Sequence, residues 1–264
     1  MPRAKRRLGQ HFLSDPGILA RIADALEAKS DETVLEIGPG PGGLTAALVS
    51  RAGRVIAIEK DRDLIAPLRA RFPSVELVEA DALKADWGSI AGGPYLVAGN
   101  IPYNITSPLL DKALSPPMPR RIVFLVQKEV ADRVTARPGT SAYGALSVGV
   151  QAVARAERLF SVSAGAFHPR PQVDSAVLRL TPLEQPLISL DQQDSFRAMV
   201  VGLFGFRRKQ LLRGVRELTG WEPTRAGERL ERAAIDPTTR PEMLSPGDFV
   251  RLHHAVVDGG WRRR

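Results

Sequence analysis

Asn100-Ile101-Pro102-Tyr103 brings together residue types that could handle an adenine amino group. The amide of Asn100 offers a carbonyl oxygen, an acceptor for an N–H. Pro102 has no N–H and a fixed φ, so it stiffens the turn and leaves the carbonyl of Ile101 as a second acceptor. Tyr103 offers a flat ring on which a base can stack. Two acceptors beside a stacking surface suit an exocyclic amine held against an electrophile. The same four residues would also serve as an ordinary turn, with Asn100 as a local cap and Tyr103 in the core. Their weight depends on what precedes them.

They follow Tyr95-Leu96-Val97-Ala98, an apolar run that reads as a buried parallel strand ending at Gly99. In open α/β sheets, ligands bind at the carboxyl ends of the strands. Upstream, a strand over 33–37 leads into Gly38-Pro39-Gly40-Pro41-Gly42-Gly43 and then a helix over 44–52. Glycine has no Cβ, so such a turn lets a ligand approach the backbone closely. A strand over 54–58 ends in Glu59, about twenty positions beyond the first glycine, as suits a carboxylate for ribose hydroxyls. A helix over 62–72 and a strand over 75–78 lead to Asp81, placed to meet an adenine edge. The glycine turn, Glu59 and Asp81, at successive strand ends, make a nucleoside-cofactor site.

Around this centre the chain supplies supporting elements. Residues 1–13 form a basic arm, and Asp15-Pro16 starts a helix to about Lys29 with Ile18, Leu19, Ile22 and Leu26 on one face. His11 could face a ligand or serve the structure; no second histidine stands at metal-ligand spacing to it, so no metal site is expected. Beyond Tyr103 the pattern gives a helix over 107–114, a strand over 122–126 and a helix from near Gln127. Another helix falls within 141–153, and strands over 160–162 and 175–180 close the sheet. Phe167 lies in the proline-stiffened loop between those strands, where it could cover the second face of a base or belong to the core.

Composition narrows the class. A chain of 264 residues can bury a full core and divide into two domains. No run reaches the roughly 18 apolar residues of a membrane helix. The basic start runs into Leu8-Gly9-Gln10-His11 and not into an apolar stretch, so no secretory signal is expected. The absence of cysteine excludes disulfides and thiolate chemistry and fits a cytoplasmic home. The net charge of +8 and pI of about 10.3 favour a polyanionic partner such as nucleic acid. Residues 182–189 read as a linker, dividing the chain into 1–182 and 183–264. The second part opens with a helix carrying Phe196, Met199, Val200 and Leu203, broken at Gly205. Helical spacing resumes over 208–218, where Arg207, Arg208, Lys209, Arg213 and Arg216 form a basic face for nucleic acid or simply for solvent.

The glycine turn reads E-x-G-x-G-x-G from Glu36 to Gly42 and not the dinucleotide pattern. Its context resembles the class I S-adenosylmethionine-dependent methyltransferases. G-Q-H-F-L at 9–13, E-I-G-P-G at 36–40, N-I-P-Y-N-I-T-S-P at 100–108, Q-K-E-V at 127–130 and F-H-P-R-P-Q-V-D-S-A-V at 167–177 resemble the ribosomal RNA adenine dimethyltransferase family. The resemblance covers essentially the whole chain. It is strongest to the small-subunit (16S) branch, whose F-x-x-R-R-K-type signature is similar to the segment from Phe206 to Leu211. His11 stands where the family often has asparagine.

The resemblance implies an α/β fold: a Rossmann-like, mostly parallel seven-stranded sheet with helices on both faces, plus a small C-terminal α-helical domain that binds rRNA. It implies S-adenosylmethionine as cofactor, with His11, Leu13, Gly38, Glu59, Asp81 and Asn100 at cofactor-binding positions. Asn100, Tyr103 and Phe167 would hold the target adenine. The activity implied is transfer of two methyl groups to each of two adjacent adenosines near the 3′ end of 16S rRNA. The partner would be the 30S subunit or its precursor, late in assembly, and the chain would act as a monomer without a membrane. Two alternatives stay open. One is a 23S rRNA adenine dimethyltransferase of the macrolide-resistance type, against which the R-R-K segment argues. The other is an assembly factor acting mainly by binding.

Overall fold

The computed structural model describes Lys5 and residues 8–262; of the basic arm, residues 1–4, 6 and 7 lie outside the described residues. The first part of the chain runs β1 (Phe12–Leu13), α1 (Pro16–Asp24), β2 (Thr33–Ile37), α2 (Gly43–Val49), β3 (Arg54–Glu59), α3 (Arg62–Arg71) and β4 (Glu76–Glu79). It continues with α4 (Trp87–Ala91), β5 (Tyr95–Asn100), α5 (Thr106–Ala113), β6 (Ile122–Gln127), α6 (Lys128–Val134) and α7 (Ala145–Gln151). Then come β7 (Ala154–Val162), β8 (Phe167–His168), β9 (Ser175–Pro182), α8 (Gln193–Gly205), α9 (Leu211–Thr219), α10 (Pro223–Arg232) and α11 (Pro246–Asp258).

Seven strands form one sheet in the order β4-β3-β2-β5-β6-β9-β7. β2 is parallel to β3 and β5, β3 to β4, and β5 to β6, whereas β9 is antiparallel to β6. The fold is therefore α/β with a mostly parallel sheet, as the resemblance implies. β5 and β6 are buried along nearly their whole length, which explains why both read as continuous apolar runs without alternation. Chain order reverses at β2, with β3 on one side and β5 on the other. That reversal opens a crevice at the carboxyl ends of β2 and β5. Leu19, Ile22, Val34, Leu48, Ala57, Leu96, Val123 and Val177 belong to the core beneath it.

Several elements depart from the sequence pattern. α1 stops at Asp24 and not near Lys29. The chain turns at Glu27, with φ at +49°, so that Leu26 is fully buried while the Glu27 carboxylate meets Arg121 at 2.6 Å and Arg179 at 2.8 Å. β7 begins at Ala154 and not at Phe160. It is an edge strand whose Arg155, Glu157 and Arg158 hide its character from an apolar count. α4 is short and was not evident in the pattern; Asp86 caps it by accepting from the Ser89 N–H at 3.0 Å. β1 and β8 pair antiparallel in a small second sheet, Leu13 opposite Phe167, which local sequence does not announce.

The chain divides into two compact units: one to Ala131 plus Ala156–Pro182, the other Asp132–Arg155 plus Leu183–Arg264. The crossing at Pro182 falls where the linker begins. Residues 132–155, assigned by the sequence pattern to the first domain, group instead with the second. The cause is tertiary: Tyr143 is fully buried, its hydroxyl donates to the Leu244 carbonyl at 2.8 Å, and its ring meets Phe204 edge-on at 6.0 Å. Phe204 stacks in turn on Phe249 at 5.6 Å. Among the described residues, no helix is long and apolar enough to cross a membrane.

α9 also begins later than its pattern suggests. Residues 206–210 form a turn in which the Lys209 N–H donates to the Phe206 carbonyl at 2.8 Å. Arg207, Arg208 and Lys209 therefore stand before the helix, and only Arg213 and Arg216 lie on it. No single helical face carries all five.

Candidate active site

The crevice at the strand ends is lined by the N-terminal segment 8–13, the glycine turn, Glu59, Asp81 and residues 100–105. Four of the six expected cofactor positions, Gly38, Glu59, Asp81 and Asn100, need little more than their strand ends to arrive there. Gly38 and Gly40 adopt φ of +65° and +57°, a left-handed conformation that side chains resist. A Cβ built on Gly38 would meet nothing within 4 Å, so this backbone is bare toward open space. That is a cradle suited to a bulky ligand.

Glu59 ends β3 and is 5% exposed. Its Oε2 accepts from the Gly40 N–H at 3.1 Å and its Oε1 from the Asp61 N–H at 2.7 Å. Burial raises its pKa above the ordinary value, against those backbone hydrogen bonds. Each carboxylate oxygen keeps a further lone pair, enough to accept from a diol. Asp81 is more open. Lys60 pairs with its Oδ2 at 2.9 Å and lowers its pKa, while Oδ1 accepts from the Leu83 N–H at 3.0 Å. Glu36, beneath the glycine turn, is 1% exposed, and the Thr45 hydroxyl donates to it at 2.6 Å. Desolvation pushes its pKa up to about 8. It lines the same cavity, yet the sequence offered it only as the first letter of a motif.

Asn100 ends β5. Its Nδ2 donates to the His11 carbonyl at 2.8 Å. That bond settles which way the amide faces and leaves Oδ1 as the available acceptor. The Tyr103 hydroxyl shares a 2.7 Å hydrogen bond with Ser175 Oγ, and burial raises its pKa. His11 stacks on the Tyr103 ring, centroids 5.6 Å apart and planes inclined by 24°. His11 Nδ1 lies 2.8 Å from the Pro169 carbonyl; a carbonyl can only accept, so Nδ1 carries the proton. His11 thus joins three segments that are distant in sequence: its own arm, the N-I-P-Y turn and the F-H-P-R-P loop. Leu13, in β1, lines the same cavity.

Phe167 does not reach the cavity. It is 5% exposed and belongs to the core with Leu13, Val162 and Val177. It pairs with Leu13 through β8 and β1, and its ring is buried in that core. The basic residues of the second unit also separate. Arg207 donates to Glu242 at 2.5 Å and to the carbonyls of Thr140 and Ser141 at 3.3 and 3.0 Å, which makes it a brace within that unit. Arg208, Lys209, Arg213 and Arg216 are exposed, with Arg213 only 3.7 Å from Glu217 on the next turn.

Sequence reasoning missed Gln10 and Asp61, which tie the N-terminal segment to the cavity rim; the Glu59-Lys60-Asp61 run carried no signal beyond an ordinary helix cap.

Comparison with known proteins agrees with this geometry. The family model "Ribosomal RNA adenine dimethylase" matches residues 1–256. The Ribosomal RNA small subunit methyltransferase A of Hahella chejuensis is 40% identical over 261 residues, covering 97% of this chain and 93% of that one. A dimethyladenosine transferase from Plasmodium falciparum is 28% identical with a TM-score of 0.82, covering 95% of this chain and 98% of that one. The 23S rRNA methyltransferase ErmE is 30% identical with a TM-score of 0.74, over 93% of this chain and 99% of that one. Matched along nearly its whole length by family model and relatives alike, this chain belongs to the ribosomal RNA adenine dimethylase family.

Proposed function

We propose that this chain dimethylates two adjacent adenosines near the 3′ end of 16S rRNA, in the 30S subunit or its precursor, with Asn100 and Tyr103 holding the reacting base. Family membership makes it an S-adenosylmethionine-dependent rRNA adenine dimethyltransferase. The small-subunit assignment is supported by the Hahella chejuensis relative, which covers 97% of this chain. The reading places the chain in the cytoplasm, as a monomer acting late in subunit assembly.

The cavity fits S-adenosylmethionine: a bare glycine cradle, a buried carboxylate with lone pairs to spare and a second acid one strand further on. When bound there, the cofactor supplies a methyl group activated by its sulfonium charge. Glu59 accepts from the ribose hydroxyls and Asp81 from the adenine edge of the cofactor. His11, Leu13 and Gly38 contribute the surrounding surface, and Asn100 adjoins it.

The single observation that carries the reading is the hydrogen bond from Asn100 Nδ2 to the His11 carbonyl, 2.8 Å long. It leaves Asn100 Oδ1 available to accept from the target adenine's amino group. Accepting that hydrogen draws the nitrogen lone pair out of conjugation with the ring, where it can attack. An amide is too weak a base to keep the proton, which leaves for water once nitrogen has gained the methyl group. Tyr103 offers its ring for the base to stack on, contributing about 1–3 kcal/mol. A paired adenine costs a few kcal/mol to flip out, so stacking offsets much of that cost. Positioning supplies most of the acceleration, and no covalent nucleophile is required. Methylation of purified 30S particles and of 23S rRNA in parallel, with the modified base mapped, tests the reading. Label confined to 23S rRNA would refute it.

A further inference from the structure

We propose that Asp61 is a positioning residue for the cofactor cavity: it fastens the N-terminal wall with its side chain and aligns Glu59 with its backbone. The inference rests on the reading of that cavity as the S-adenosylmethionine site.

Asp61 is only 4% exposed, yet its carboxylate gathers contacts from two directions. It pairs with the Lys5 ammonium and accepts from Gln10 Nε2 at 3.1 Å, both from the N-terminal segment. It also accepts from the Asp63 N–H at 3.2 Å, capping α3. Lys5 reaches Asp63 as well, at 2.5 Å, and its own N–H donates to Gln10 Oε1 at 2.8 Å. Lys5 and Gln10 are thus bound to one another and together to Asp61. Residues 8–13, which begin beside this knot, form one wall of the cavity. The Asp61 N–H, meanwhile, donates to Glu59 Oε1 at 2.7 Å. One residue therefore holds the wall from its side chain and the ribose-facing carboxylate from its backbone.

The reaction gives such a fastening a use. Each methyl transfer moves one carbon from sulfur to the adenine nitrogen; sulfur keeps the bonding electron pair and nitrogen gives up a proton. Two transfers to one nitrogen consume two donors, so S-adenosylhomocysteine must leave and a fresh donor enter between them. How firmly the wall is fastened then bears on how readily each exchange occurs. The tie is open to solvent on one side only: the Lys5 side chain is 28% exposed and that of Asp61 3%.

The competing explanation is that Asp61 only caps α3. Asp61→Asn keeps a good cap and a partner for Gln10 but loses the charge that holds Lys5. Lys5→Met removes the same pair from the other side, together with the contact to Asp63, and leaves the Asp61 cap of α3 in place. With the full chain, stopped-flow and calorimetry should show both variants releasing S-adenosylhomocysteine faster and binding S-adenosylmethionine more weakly, each by up to about tenfold. Melting temperature should stay near that of the parent chain. The double variant should be no worse than Lys5→Met alone, because the Lys5–Asp61 pair is already lost there. Unchanged rates in both variants, or effects that simply add, would reduce Asp61 to a helix cap. Failure of the parent chain to bind S-adenosylmethionine would overturn the reading of the cavity and this inference with it.

Discussion

The rim of the cavity and the basic segment before and along α9 both carry charge, and they hold it in opposite ways. At the rim the acids are buried and already engaged: Glu59 with two backbone N–H groups, Glu36 with Thr45, Asp61 with Lys5 and Gln10. On the second unit Arg208, Lys209, Arg213 and Arg216 are exposed, and only Arg207 is braced by several partners. A buried, partnered group can be aimed to a fraction of an ångström, so one substitution should matter greatly. Exposed cations act as a field, so single changes should matter little and several should add.

Asn100→Ala is the sharpest way to break the first region. It removes the acceptor for the adenine amine and frees the His11 carbonyl. Single-turnover methylation should fall on the order of 100-fold, the scale of losing one preorganised polar contact, with 30S binding largely kept. A near-normal rate would remove Asn100 from the chemistry.

Glu59→Ala comes next. It should weaken S-adenosylmethionine binding by about 2–3 kcal/mol, since two hydrogen bonds to a charged acceptor are lost. Calorimetry on folded protein measures this, and unchanged affinity would contradict the ribose assignment.

The contrast is tested from the other side by changing Arg208, Lys209 and Arg213 together to Gln. S-adenosylmethionine affinity should not move. The plot of log 30S affinity against log salt should flatten by about 2–3 units, near one per lost phosphate contact. Glutamine is a comparable helix former, so circular dichroism should be unaltered. An unchanged slope would show that these cations only face solvent. Arg207 is left in place because its loss would disturb Glu242 and the 140–141 carbonyls.

The last test concerns stability and not activity, through Glu36. Its pKa rises from 4.5 to about 8 on folding, chiefly by desolvation. Between those values the folded chain keeps a proton that the unfolded chain has lost, so stability should fall as pH rises across that window. Glu36→Gln carries no titrating proton and should flatten the dependence in thermal melts without cofactor. A parent chain whose melting temperature is level from pH 4.5 to pH 8 would contradict the shift.

The sequence by itself determined the α/β class, the glycine turn, Glu59, Asp81 and the N-I-P-Y turn. Parallel strands buried on both faces leave unbroken apolar runs, and the polar residues that end them fall at one edge of the sheet whatever the distant packing. Tertiary structure alone decided the rest. Phe167 is buried in the core, in the strand β8 that pairs with β1. Residues 132–155 joined the second unit because Tyr143 found Leu244 and Phe204 there. β7 lengthened because β9 supplies an edge for a charged strand to extend. Asn100 gained its orientation from the carbonyl of His11, and Asp61 gained its partners from Lys5 and Gln10. Each of these depends on contacts between residues far apart in the chain, and a local pattern carries no information about which distant partner will arrive.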